Sequence, residues 1–159
     1  MNNDIGEILI KQLRERGGAL ALAESCTAGL VSDLLARIPG ASQVFWGSFV
    51  CYTAQAKSAM LDLDPVQLAK YGLVSRETAC AMACAALEKS GASIAAAVTG
   101  IAGPGSGEDG IPAGTVWIAT ALRGAEPCAV LHNFSGSRNE VRKQAAAAVL
   151  SGLLKALRF

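Results

Sequence analysis

Apolar side chains recur at Ile5, Ile8, Leu9 and Leu13, one face of a helix over residues 4–16 that Gly17-Gly18 ends. The pattern then changes. Ala19 to Ala23 is an unbroken apolar run, as expected of a short strand buried on both faces. Leu30, Val31, Leu34, Leu35 and Ile38 restore the helical period, and Pro39-Gly40 closes that second helix. Val44 to Tyr52, rich in β-branched and aromatic residues, predicts a second strand. A short helix through Lys57 to Leu61 follows. Asp64-Pro65 opens another, with a cap residue ahead of proline at the first helical position.

Ser75 begins a longer helix with Ala79, Met82, Ala83, Ala86 and Leu87 on its buried face. Cys80 and Cys84, four residues apart, are expected on that apolar face too, as core rather than chemistry. Ile94–Thr99, Thr115–Leu122 and Cys128–Phe134 predict three more strands. Arg123 to Pro127, which includes Gly124, makes the last two a hairpin. Ser137-Arg138-Asn139-Glu140 has the capping-box pattern and opens a final helix to about Leu157. That helix has Val141, Ala145, Ala148, Val149, Gly152 and Leu153 on one face. Helices interleaved with apolar strands predict a three-layer α/β/α sandwich around a mixed, mostly parallel sheet. With no repeat, linker or low-complexity tract, residues 1–159 read as a single domain.

Composition narrows the function classes. The chain is 52% hydrophobic but only 5% aromatic, so its core is built from small residues that let helices lie close to a sheet. A net charge of +1 gives no electrostatic case for nucleic acid or for an anionic membrane surface. Charges throughout Met1 to Arg16 argue against a secretory signal, and a soluble cytoplasmic protein is expected. Five cysteines without a CxxC pair, and one histidine, predict reduced thiols and no metal site.

The candidate chemistry begins at Ala23-Glu24-Ser25-Cys26-Thr27-Ala28-Gly29-Leu30, where the first strand meets the second helix. A hydroxyl in such a turn lies beside unpaired backbone N–H groups, which suits a nucleophile or an anion site. Ser25 or Thr27 could equally serve as a helix cap. Strand ends gather on one edge of a three-layer fold, so Lys57, after the second strand, can approach Ser25. A lysine activates a serine only when neutral, which requires burial or a positive neighbourhood. Tyr52 occupies the end of the same strand. Thr99 to Gly107 follows another strand and contains Gly100, Gly103, Gly105 and Gly107, a loop able to approach a ligand closely. Arg138 and Arg142 oppose the dipole at the start of the last helix, an objection that a bound phosphate removes.

Taken together, AESCTAGL, the Tyr52–Lys57 spacing, VTGIAGPG, AGTVWIA and FSGSRNEVR, in that order, resemble the C-terminal domain family of the competence/damage-inducible protein CinA. The resemblance covers roughly residues 5–157. Stand-alone members of the family include nicotinamide-nucleotide amidohydrolase. The resemblance therefore implies hydrolysis of the carboxamide of nicotinamide mononucleotide to nicotinic acid mononucleotide and ammonia, in pyridine nucleotide salvage. It implies a serine/lysine mechanism without metal or cofactor: Ser25 as nucleophile, Lys57 as base, Tyr52 positioning or relaying a proton. Thr27 would serve the oxyanion end, and Arg138, with Arg142 beside it, would contact the substrate. Thr99, Gly100, Gly103 and Gly105 would line the pocket.

Three departures accompany the match. Ile111 stands where the family commonly has lysine, Glu108 and Asp109 flank the glycine loop, and Ser137 replaces a frequent acidic residue. A stand-alone domain is expected, without the separate N-terminal domain that many members carry. The rival expectation is a catalytically silent nucleotide- or partner-binding domain of the same fold. A thiol enzyme using Cys26 fits less well, because His132 lies in a predicted strand remote in sequence. Besides its nucleotide substrate, the expected partner is a second copy in a homodimer, since Ala/Gly-rich domains of this size readily pair.

Overall fold

The structure, a computed structural model, describes residues 2–158. Six helices, one 3-10 turn and five strands follow in the order α1 (Asn2–Glu15), β1 (Leu20–Glu24), α2 (Leu30–Ala36), the 3-10 turn (Ala41–Gln43), β2 (Phe45–Val50) and α3 (Ala54–Leu61). They continue as α4 (Pro65–Tyr71), α5 (Arg76–Ser90), β3 (Ile94–Gly100), β4 (Thr115–Leu122), β5 (Cys128–Asn133) and α6 (Arg138–Ala156). The sheet order is β2-β1-β3-β4-β5. β1 pairs in parallel with β2 and β3, and β4 runs antiparallel to both β3 and β5. Four strands thus point one way and β4 alone opposes them, so the sheet is mixed, as expected, with two parallel and two antiparallel pairings.

Alternation within the strands divides the core into two unlike halves. Leu20 and Leu22 of β1, Ile94 and Val98 of β3, and Val116 and Ile118 of β4 face one layer, where they pack with α1, α2 and α6. Ala21, Ala23, Ala95, Ala97, Ala119 and Ala121 face the other. There α5 lays Ala79, Ala83 and Ala86 against them, with Met82 as the bulky exception. Alanine against alanine brings that helix close to the sheet, and close packing there keeps contact dense despite small side chains.

The cysteine expectation is only partly met. Cys80 is half-buried and Cys84 is exposed, so Cys84 is not core. The buried stripe of α5 runs through 79, 82, 83 and 86. At 100° per residue, Cys84 is rotated off that stripe. On α6 the buried face also reaches Ala146, Leu150 and Leu154, because α1 and α2 both pack against it. Ala148 and Gly152 are only half-buried.

Candidate active site

The carboxyl ends of β1 and β3 lie side by side, Glu24 opposite Val98, and the site is built on that edge. β1 leaves the sheet in a turn tight enough to put Ala28 at φ 49° and Gly29 at φ 93°. The Ser25 N–H donates to Val98 O at 3.0 Å and the Ala28 N–H to Ser25 O at 3.0 Å. Neither Ser25 nor Thr27 caps α2; the cap position is Gly29, which has no side chain to offer. Glu24 supplies what the cap lacks. Its carboxylate, 0% exposed, accepts from the N–H groups of Gly29, Val31 and Ser32 at 3.0–3.1 Å. It also accepts from the hydroxyls of Thr27, Ser32 and Ser48. The positive end of α2 is therefore taken up by the protein's own anion. A charge inside an apolar strand must be fully partnered. That rule could have drawn attention to Glu24, which the motif reading passed over.

Thr53 caps α3 by accepting from the Ala56 N–H at 3.1 Å, and this start directs Lys57, one turn in, back toward the end of β1. Lys57 is 1% exposed. Its Nζ lies 2.9 Å from Ser25 Oγ and 3.1 Å from Cys51 O. Among the described residues it forms no ion pair. Burial holds its pKa below the ordinary lysine value, and the neighbouring Cys51 and Cys26 thiols oppose that shift only in part. Nζ can donate to both oxygens; once the amine has lost its proton it can keep the Cys51 O bond and turn its lone pair on the Ser25 hydroxyl. Cys26 behaves oppositely: burial pushes its thiol up to about 11. A thiol held there is protonated near neutrality and a poor nucleophile, which tells against the thiol-enzyme alternative.

Ser25 and Lys57 open into a cavity of about 320 Å³ that Cys26, Tyr52, Thr99, Gly100, Gly103 and Arg138 also line. Gly100 lies flush against β4, where a Cβ would come 2.6 Å from Thr115 O. Gly103 holds φ 93° in the left-handed region. Thr99 donates its hydroxyl to Leu73 O at 2.8 Å. Arg138 crosses the cavity mouth, with Nη1 2.5 Å from Gly103 O and Nη2 2.6 Å from Tyr52 Oη.

Three expected residues are not part of this lining. Gly105 lies beside the cavity. Thr27 is fully buried, with its hydroxyl on Glu24. Arg142 turns inward, donating from Nε to Cys26 O at 3.1 Å and from Nη2 to Thr27 O at 2.8 Å. Glu108 and Asp109 border a separate apolar groove of about 1180 Å³ that shares Leu73, Val74 and Ile101 with the cavity. They are absent from the cavity that Arg138 lines.

Fold and site define an α/β/α protein with a buried Ser–Lys pair at the carboxyl edge of its sheet, under an arginine-bridged glycine loop. Residues 2–157 match the CinA C-terminal domain, and the chain belongs to that family. It is 46% identical over 138 residues to a CinA-like protein of Akkermansia muciniphila, covering 87% of this chain and 33% of that protein. The chain spans about a third of the length of the curated relatives it matches. It superposes on a competence-damaged protein (CinA) superfamily protein from Klebsiella pneumoniae with a TM-score of 0.95 at 32% identity, covering 99% of this chain and 98% of that one. For the competence/damage inducible protein CihA from Agrobacterium tumefaciens the TM-score is 0.93 at 37% identity, covering 99% and 96%. Among the described residues no helix is long and apolar enough to cross a membrane.

Proposed function

We propose that this chain is a nicotinamide-nucleotide amidohydrolase that converts nicotinamide mononucleotide to nicotinic acid mononucleotide and ammonia by a serine/lysine mechanism. The observation that carries the reading is the 2.9 Å contact between Lys57 Nζ and Ser25 Oγ, formed by a buried lysine with no counter-ion among the described residues. A lysine so held resists protonation, and the unprotonated amine is the form that can act as a base. A domain that only binds its ligand has no use for that arrangement, which favours an enzyme over a silent relative.

An amide is a weak electrophile with a poor leaving group, so the reaction needs a nucleophile, an oxyanion donor and a proton for ammonia. Lys57 takes the Ser25 proton as Oγ adds to the carboxamide carbon. The resulting ammonium returns that proton to the departing nitrogen, leaving an acyl-enzyme. Water, deprotonated by Lys57, then releases the acid. Arg138 at the mouth, with Tyr52 and the glycine loop, suits the substrate's phosphate. The same reading has the chain act as a single cytoplasmic domain in a homodimer, without metal or cofactor.

Incubation of the purified protein with nicotinamide mononucleotide should release ammonia and nicotinic acid mononucleotide in equal amounts. A protein that binds the mononucleotide but releases no ammonia would be the silent relative.

A further inference from the structure

Arg138 and Arg142 stand one helical turn apart on α6, yet they do different things. Arg138 lines the cavity, whereas Arg142 does not. Its guanidinium grips the carbonyls of Cys26 and Thr27, and Nη1 rests on Asn139 Oδ1 at 3.3 Å. Those two carbonyls belong to the peptides directly after the Ser25–Cys26 bond. The peptide before Cys26 is fixed as well, because Ser25 O accepts from the Ala28 N–H. Both peptide planes flanking Cys26 are therefore held from outside the cavity. Each plane is rigid, so the fork on Thr27 O also sets the Ala28 N–H of the same peptide, and that N–H, by donating to Ser25 O, sets the Cys26 N–H at the other end of the Ser25–Cys26 peptide.

The N–H groups of the turn can be followed one by one. Ser25 N–H goes to Val98 O, Ala28 N–H to Ser25 O, and Gly29 N–H to Glu24. Among the described residues neither the Cys26 nor the Thr27 N–H finds a backbone acceptor, and the Cys26 N–H meets only its own thiol, a weak acceptor. Orphaned buried N–H groups are rare in folded proteins. Cys26 lines the cavity next to Ser25, and Thr27 does not.

We propose that Arg142 is a positioning residue that holds the Cys26 N–H ready as the oxyanion donor for reaction at Ser25. When Ser25 Oγ bonds to the carboxamide carbon, the C=O π pair moves onto oxygen and the hydroxyl proton passes to Lys57. The Cys26 N–H meets the charge that develops on that oxygen. A donor fixed beforehand needs no reorganisation when the charge appears, which is where such groups gain their effect. The planar fork suits this task because it holds two successive carbonyls at once. The inference rests on Ser25 as nucleophile but gives Arg142 a role other than contact with the phosphate.

The test compares wild type, Arg142→Ala and Arg142→Lys in three measurements. They are turnover of nicotinamide mononucleotide, affinity for nicotinic acid mononucleotide by calorimetry, and the rate at which a small alkyl fluorophosphonate labels Ser25. In that labelling an Oγ–P bond forms and fluoride leaves, with no nucleotide phosphate involved. Arg142→Ala should lower kcat and the labelling rate together by about 10²-fold, as expected for a displaced oxyanion donor, with product affinity within about twofold. Arg142→Lys keeps the charge without the planar fork and should lose about tenfold in both rates. Weakened product affinity with normal labelling would make Arg142 an anion ligand and overturn the inference. If the alanine variant does not fold, the lysine variant decides: wild-type labelling in a folded Arg142→Lys protein overturns it equally. Failure of the wild type itself to label at Ser25 would refute the nucleophile, a result separable from any effect of Arg142.

Discussion

Arg138 and Tyr52, 86 residues apart in sequence, meet across the cavity mouth with Nη2 2.6 Å from Oη. The guanidinium donates, so the tyrosine oxygen is an acceptor and its own proton is left to point elsewhere. Tyr52 has no hydrogen bond to Ser25 or Lys57 among the described residues, and it lines the same cavity as they do. Arg138→Ala should raise KM for nicotinamide mononucleotide by about 10- to 150-fold, the loss of a charge-assisted hydrogen bond of about 1.5–3 kcal/mol. Nicotinamide riboside, which lacks the phosphate, should be affected far less. Steady-state kinetics on the two substrates checks this, and equal losses on both would assign Arg138 to the amide end or to the loop.

Nucleophile and thiol can be separated chemically. Ser25→Ala should lower kcat by about 10⁴-fold or more, in line with other nucleophile deletions, while nicotinic acid mononucleotide still binds. Iodoacetamide at neutral pH should alkylate the exposed Cys84 and Cys128 and spare Cys26, whose thiol burial holds at about 11. Activity should survive that treatment. Intact mass and ammonia release, followed together, test both statements.

The lowered pKa of Lys57 has a sign in activity and in stability. For activity, kcat/KM should rise with pH as the free enzyme's Lys57 loses its proton, at a value below 10.5. Lys57→Arg keeps the charge but supplies no base, so it should be nearly as inactive as Lys57→Ala. A pH–rate profile of each variant decides between base and mere charge.

For stability, the folded state binds fewer protons than the unfolded chain between the lowered value and 10.5. The contribution of this site is therefore fully present above 10.5 and is lost as pH falls through the lowered value. Compared with Lys57→Met, the wild type should gain in Tm as pH rises toward 10.5. Thermal unfolding of both proteins across that interval measures it.

Loss of Glu24 should cost the fold heavily. Glu24→Ala strands three backbone N–H groups at the start of α2, and a loss of about 3 kcal/mol or more is expected, since each unsatisfied buried group costs about 1–3. Glu24→Gln keeps one acceptor oxygen. The hydroxyls of Ser32 and Ser48 can turn to accept from its amide nitrogen, but the Ser32 N–H cannot. It should cost about 1–3 kcal/mol, the loss of one buried backbone partner. Denaturant titration of the two variants gives both differences.

What the sequence determined by itself is the local chemistry of the chain. The helical period at Ile5, Leu9 and Leu13, the Asp64-Pro65 cap and the hairpin around Gly124 are decided within a few residues, and each element formed where that pattern predicts. The motif order pointed to the family because its residues are contiguous in sequence.

Tertiary structure decided the partners. Glu24 looks like an odd charge in a strand until Ser48, on a neighbouring strand, and the first turn of α2 close around it. Arg138 and Arg142 are indistinguishable by charge and spacing. One reaches Tyr52 and the other the turn after Ser25, because α6 packs against β3, β4 and α2 at one particular height. Lys57 is an ordinary helical lysine in sequence. Only burial at the end of β1 deprives it of water, and desolvation is a property of the surrounding fold rather than of the residue.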